Sequence, residues 1–380
     1  VEEEINMKRR DFLKSGLASL VLLKTAPIAA MTGDNAVKKV IWIFLRGAMD
    51  SLDTVIPRAD SAYLQLRPNH WQRHELEKHR LNNMFSLHPA LEFSHQLYKK
   101  KQMAPVVAVA SGYRSRSHFE AQDTMESGLN EVDHDQGWLA RALGQYSGNA
   151  LSISRTTPMA LKGGPSMPQT WYPSGLTAAE SDTLSRLQSM YANDALLSAT
   201  INTAIEQRDA PMMDKERKNR PDFAFLANRC GEIMADDPQI ACAMLEMGGW
   251  DTHNNQKNRL TRQFNTFDDG ITSLHSTLGH QWKDTLIFVS TEFGRTVKLN
   301  GTKGTDHGTG GAMLVYGGAL QNFTKISGGK VHGQWPGLNQ LLDNRDLNPT
   351  SDVREWLGKG IAEHWSLSPQ SLGKVFPDNF

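Results

Sequence analysis

Carboxylates, imidazoles and arginines in this chain gather in a few short loops, several of them flanked by glycine. Asp50 stands in Arg46-Gly47-Ala48-Met49-Asp50-Ser51, and Asp251 with His253 follows Gly248-Gly249-Trp250. Glu292 precedes Phe293-Gly294-Arg295, and Asp306-His307 lies between Gly304 and Gly308. Mixed carboxylate oxygen and imidazole nitrogen suit zinc or manganese, whereas carboxylate-rich sets suit magnesium or calcium. Two such ions a few ångströms apart clamp the attacking and leaving oxygens of an in-line displacement at phosphorus or sulfur. Asp50, Asp251, His253, Glu292, Asp306 and His307 are therefore the candidate metal ligands. Arg46, Arg114, Arg116 and Arg295 are candidate clamps for an anionic group.

Each residue also has a plainer explanation. Asp50 could close a turn with its carboxylate, and Glu292 could pair with Arg295 at the surface. Ser117-x-x-Glu120 ahead of a helical run is a capping box, which accounts for the serine without catalysis. The same position at a helix N-terminus, beside a metal, would make Ser117 a nucleophile. His70, His74 and His79 fall in a uniformly polar stretch that reads as a solvated helix or loop. His332 lies among Gly328, Gly329 and Gly333 and is a weaker candidate for a further ligand.

The loops need a frame. Apolar, β-rich runs at residues 37–45, 105–110, 240–247, 285–290 and 312–316 read as strands. Residues 89–101 and 117–128 read as helices. Leu260, Phe264, Phe267, Ile271, Leu274 and Leu278, spaced by four and three, predict one long helix stopped by Gly279. Alternation of strands and helices predicts an open, mostly parallel α/β sheet with helices on both faces. In such sheets ligands bind beyond the carboxyl ends of the strands, where most of these loops fall. Residues 177–228 are polar and helical in pattern and read as an excursion that caps the sheet.

The charge balance, 41 basic against 41 acidic residues, argues against broad phosphate neutralisation and so against nucleic acid as partner. Two cysteines, Cys230 and Cys242, exclude a disulfide scaffold and zinc-finger spacing; whether they bridge is left open. There is no P-loop, GxGxxG, HExxH or GxSxG, and no apolar run long enough to span a membrane in the mature chain. Residues 7–30 run from Lys8-Arg9-Arg10 through an apolar stretch to Ala26, Pro27, Ala29 and Ala30, the order of a secretory signal. The arginine pair points to the twin-arginine export machinery and a periplasmic or otherwise exported protein, with translation starting at Met7. Residues 31–380 then form a single domain.

Gly248-Gly249-Trp250-Asp251-Thr252-His253-Asn254-Asn255-Gln256, Ser290-Thr291-Glu292-Phe293-Gly294-Arg295-Thr296 and Gly304-Thr305-Asp306-His307-Gly308 together resemble domain-of-unknown-function family 1501. Leu87-His88-Pro89-Ala90 and Arg116-Ser117-His118-Phe119-Glu120-Ala121-Gln122-Asp123 extend the resemblance across the exported chain. It implies the alkaline phosphatase and sulfatase superfamily fold and a site with one or two metals. By that resemblance Asp50 matches a metal aspartate, Ser117 the nucleophile, and Asp251 with His253 an Asp/His pair. The next Asp-His position has two candidates, Glu292 by its place directly after a strand or Asp306-His307 by letter; strand order favours Glu292, which makes His307 the last histidine. The spacing of Asp251 and His253 is narrower than the superfamily's, and the Asp50 loop carries less glycine than the family's. The implied activity is hydrolysis of a small phosphate or sulfate ester; the alternative is a periplasmic binding or assembly protein that keeps the fold without turnover.

Overall fold

The computed structural model describes residues 37–68, 70–173, 187–191, 193, 194, 197, 198 and 221–380. The strands in chain order are β1 (Lys39–Leu45), β2 (Val55–Ile56), β3 (Ser86–Leu87), β4 (Met103–Ala110), β5 (Asn149–Ser152), β6 (Gln169–Thr170), β7 (Ile240–Met247), β8 (Thr285–Thr291), β9 (Gly311–Tyr316) and β10 (Ser351–Asp352). Eight of them form one sheet in the order β10-β4-β9-β8-β1-β7-β5-β6, while β2 and β3 pair separately. β1 is central and parallel to β7 and β8, with Val40 opposite Cys242 on one side and Leu286 on the other.

Burial on both faces explains why β1 is apolar at nearly every position rather than alternating. Ile41, Ile43 and Leu45 join the core under the helices Glu92–Lys99, Phe223–Asp236 and Gln256–Leu278. Val40, Trp42 and Phe44 point the other way, into the core under Trp138–Leu143, Val353–Trp365 and Pro369–Val375. The expected α/β sheet with two covered faces is present. The long helix spans Gln256–Leu278 and buries all six periodic residues. Each such side chain contributes about 1.5–3 kcal/mol on full burial. Gly279 ends the helix at φ +51°.

β9 runs antiparallel to both β4 and β8, the sole reversal in the large sheet. This reversal matters for the site. Seven strands present their C-terminal ends to one rim, and β9 presents its N-terminal end there. The loop carrying Asp306 and His307 precedes β9 and so reaches the same rim as the loops that follow β1, β4, β7 and β8.

Most of the expected helical excursion, and all of the leader at residues 1–30, lie outside the described residues. Its last residues belong to Phe223–Asp236, which packs against β7 and Gln256–Leu278 as part of the sheet's covering layer. Cys230 and Cys242 are free and fully buried. No described helix is long and apolar enough to cross a membrane.

Candidate metal centre

The loop after β7 crosses the loop after β1 at close range. A Cβ on Gly47, whose φ is +116°, would stand 2.6 Å from the backbone nitrogen of Asp251. Gly304 has the same role opposite His253, where a Cβ would come within 2.1 Å of the backbone carbonyl carbon. Glycine at these two points lets the ligand-bearing loops touch.

Three imidazoles meet over Asp251. His118 opens the helix His118–Ser127 after β4, and its Nε2 lies 3.0 Å from Nε2 of His307. Nε2 of His253 lies 3.2 Å from the same His307 atom. The Asp251 carboxylate stands 2.9 Å from His253 Nε2, 3.3 Å from His307 Nε2 and 3.6 Å from His118 Nε2. Among the described residues, His118, Asp251 and His307 offer ligand atoms that all lie within 4.8 Å of one another.

The far nitrogen of each ring is held by an oxygen. His118 Nδ1 is 2.7 Å from Glu292 Oε1, His253 Nδ1 is 3.1 Å from Asp306 Oδ1, and His307 Nδ1 is 3.2 Å from the Arg116 carbonyl. An acceptor at Nδ1 places the ring proton there and leaves Nε2 as a lone pair. Rings steadied from behind in this way, with Nε2 of His118 and His307 meeting at the Asp251 carboxylate, are how proteins orient metal-bound histidine. A tetrahedral ion with bonds of about 2.0–2.1 Å separates its ligand atoms by about 3.3 Å. The separations of 3.0, 3.3 and 3.6 Å among His118, His307 and Asp251 bracket that value, so these three fit one metal, and His253 stands beside them against Asp251 and His307.

The electrostatics agree. Hydrogen bonds to Asp251, then to Glu292, raise the His118 pKa to about 9 against the opposing effect of burial. Burial works to raise the Asp251 carboxyl, yet bonds from His118, His307 and Arg295 hold it well below the usual carboxylate range. Glu292 is fully buried and also lowered, because His118 and Gln122 outweigh its desolvation. The carboxylates thus call for positive charge among the imidazoles, supplied by a proton or by a cation that displaces it.

Sequence reasoning placed six residues in the first ring of ligands, and the structure brings three of them together: Asp251, His253 and His307. Glu292 and Asp306 stand behind histidines. Glu292 also accepts from the Gly47 N–H at 2.8 Å, from Gln122 at 3.0 Å and from the Thr291 hydroxyl at 2.8 Å. Asp50 is elsewhere. Its carboxylate is buried against Arg67 at 2.8 Å, caps the short helix Ser51–Thr54, and takes a 3.0 Å bond from Gln256. It connects to the rim through Thr305, which lies between Asp50 and Arg295, and through Gln256, which accepts from the Thr252 hydroxyl.

His118 is the candidate ligand that sequence reasoning passed over. The available signal was its place directly after Ser117, at the start of a helix leaving the same rim. Ser117 is the N-cap residue, but its hydroxyl makes no capping bond, and the Glu120 carboxylate is taken by the Tyr113 hydroxyl. The capping box that would explain this serine structurally is not formed.

The four arginines are all engaged. Arg46 binds Gln122, Glu126 and Glu246, each at 2.6 Å. Arg114 bonds the carbonyls of Ser111 and Tyr113. Arg116 pairs with Asp343 at 3.1 Å and Asp346 at 2.9 Å. Arg295 is buried and bonds Asp251 and Thr305. Only Arg295 touches the cluster with its side chain, and it does so as the partner of a ligand.

Two polar-stretch histidines depart from expectation. His70 is buried with its Nε2 2.7 Å from Asp53, and His79 is buried against Pro89 and His95, while His74 is exposed. The polar sequence conceals them because their partners, Asp53 and a backbone carbonyl, satisfy the rings inside the fold. His332 bonds the Ser327 carbonyl at 2.9 Å and is not part of the cluster.

The chain belongs to the family described as protein of unknown function (DUF1501), whose profile matches residues 94–355. No curated protein matches it. Among solved structures it is similar to Ps i-CgsB, at 10% identity and a TM-score of 0.40, covering 90% of this chain and 76% of that one. A protein in the alkaline phosphatase superfamily from Vibrio parahaemolyticus is similar at 10% identity and a TM-score of 0.37, over 78% of this chain and 62% of that one. Alkaline phosphatase from the Antarctic bacterium TAB5 is similar at 10% identity and a TM-score of 0.34, over 90% and 98% respectively.

Proposed function

We propose that the protein is a metal-dependent hydrolase of phosphate or sulfate esters. The observation that carries this reading is the convergence of His118, His253 and His307 Nε2 on the Asp251 carboxylate, each ring backed by an oxygen at Nδ1. Two imidazole nitrogens and one carboxylate, with a third imidazole beside them, favour zinc among divalent ions over the oxygen-seeking magnesium and calcium. Bound there, a divalent ion supplies Lewis acidity toward a phosphoryl or sulfuryl oxygen. The chain's own residues supply the rest. Glu292 and Asp306 fix ring orientation, and Arg295 holds Asp251 from the buried side. Ser117, with no capping bond and beside His118, is the candidate nucleophile.

One observation favours the second reading, a periplasmic binding or assembly protein that keeps the fold without turnover: the four candidate clamps are already paired with protein oxygens. The two readings separate in one experiment. Purified protein is analysed for metal, then assayed with aryl phosphate and sulfate esters at confirmed occupancy. Hydrolysis lost in Asp251→Ala supports the hydrolase. Full occupancy with no turnover of either ester class supports the binding or assembly protein, and absence of stoichiometric metal sinks the hydrolase. The arginine pair and the small residues at 26–30 support export by the twin-arginine route, so the proposed place of action is the periplasm; retention of a folded reporter fused behind residues 7–36 would contradict it.

A further inference from the structure

A second pair of imidazoles meets outside the rim cluster. His79 follows the helix Arg73–Lys78, and His95 lies in Glu92–Lys99. Their Nδ1 atoms face each other at 3.2 Å. Behind each ring stands a backbone carbonyl: Pro89 O lies 3.1 Å from His79 Nε2, and Arg80 O lies 3.0 Å from His95 Nε2. A carbonyl only accepts, so both Nε2 atoms carry the ring proton. A neutral imidazole has one N–H, which leaves both Nδ1 atoms bare and their lone pairs opposed.

Two opposed lone pairs at that distance repel unless an electrophile lies between them. Glu92 supplies no further donor on that side: its carboxylate stands 3.5 Å from His79 Nε2 and 3.6 Å from Lys78 Nζ, behind the ring. We propose that His79 and His95 form a second metal site, taking a borderline divalent cation of the zinc or nickel class through both Nδ1 atoms. The carbonyls behind the rings do what Glu292, Asp306 and the Arg116 carbonyl do at the rim: they fix the tautomer and aim the free nitrogens. A separation of 3.2 Å suits two adjacent ligands of one tetrahedral ion, whose nitrogens stand about 3.3 Å apart. His79 is buried and His95 is partly exposed, so water completes the coordination from the His95 side. The ion clips the turn after Arg73–Lys78 to the helix Glu92–Lys99, reinforcing the His95–Arg80 carbonyl bond, the Lys78–Glu92 pair and the Tyr98 hydroxyl, which donates to the Leu81 carbonyl at 3.1 Å.

The test uses the full chain with the rim cluster disabled by His118→Ala and His307→Ala, titrated with zinc and, as control, magnesium. The expected result is one equivalent of zinc and no magnesium, with zinc affinity falling at least about tenfold when His95→Gln is added. The same titration on His95→Gln alone, with the rim intact, should show one equivalent fewer than the wild-type chain, which keeps the test available if the rim variant does not fold. Zinc binding unchanged by His95→Gln would overturn the proposal. So would an imidazole NMR signal for a proton shared between the two Nδ1 atoms in zinc-saturated protein. The readout is binding, so failure of the hydrolase reading leaves the outcome interpretable.

Discussion

Replacing Arg67 with methionine tests whether Asp50 is an anchor of the fold or a ligand. Arg67 is fully buried, and each of its N–H groups is used. Nε donates to the Val297 carbonyl at 2.8 Å; Nη1 donates to Asp50 at 3.0 Å and Asp53 at 2.7 Å; Nη2 donates to Asp50 at 2.8 Å and the Thr296 carbonyl at 3.1 Å. Methionine keeps much of the volume and removes the charge. Two buried carboxylates then lose their cation, which costs about 3–5 kcal/mol where one partner of a buried pair is deleted. Domains are stable by about 5–15 kcal/mol, so the loss is a large share of the total. At about 2 °C per kcal/mol for a chain of this size, the melting temperature should fall by roughly 6–10 °C.

The sign of its pH dependence follows from Asp53. Burial raises its carboxyl and the charges of Arg67 and His70 more than reverse this, so its folded pKa lies below the ordinary value of 3.8. In the wild type that shift contributes stability present above the unfolded value and lost as pH falls through the folded one. In Arg67→Met the orphaned carboxylates take up protons more readily, so the penalty should be smaller at pH 5 than at pH 8. Adding Asp53→Asn should recover part of the loss in a double-mutant cycle. Thermal and urea melts measure all three quantities. A cost under about 1 kcal/mol, or no recovery with Asp53→Asn, would refute the anchor. Loss of rim metal in folded Asp50→Asn would show that Asp50 is a ligand after all.

His118→Ala should lower metal affinity more than Glu292→Gln does, and Glu292→Gln by about 10–100-fold, since it only orients the ring; equal affinity to wild type in Glu292→Gln would contradict the assignment. Asn300 links two ligand loops through bonds to the His253 carbonyl at 2.9 Å and Asp306 at 3.2 Å. Asn300→Asp removes that donor and sets a second carboxylate against Asp306, so metal affinity should drop with little change in melting temperature of the metal-free protein. Burial lowers His88 to about 3 and His364 to about 4. Each stays neutral when folded but takes a proton when unfolded below about 6.5, so stability should fall as pH drops from 6.5 toward 4, by up to about 1.4 kcal/mol per pH unit for each histidine. Urea midpoints that stay flat over that range would count against it.

Local pattern was enough for the frame. The apolar run of β1, the three-and-four spacing from Leu260 to Leu278 and the placement of polar loops after strands are short-range features, so the α/β sheet and the chemistry-bearing loops were legible in the sequence. The choice of Asp251, His253 and His307 followed from their type and place. The rest required the tertiary structure, because a ligand's role depends on what stands behind it. His118 becomes a candidate ligand through Glu292, 174 residues away, and Asp50 becomes an anchor through Arg67 and Gln256. Likewise the antiparallel course of β9, which carries His307 to the common rim, is set by pairing with β4 and β8 and by nothing in its own residues. Sequence determined which groups were available and on which loops; only the long-range contacts decided which nitrogens keep their lone pairs and where they point.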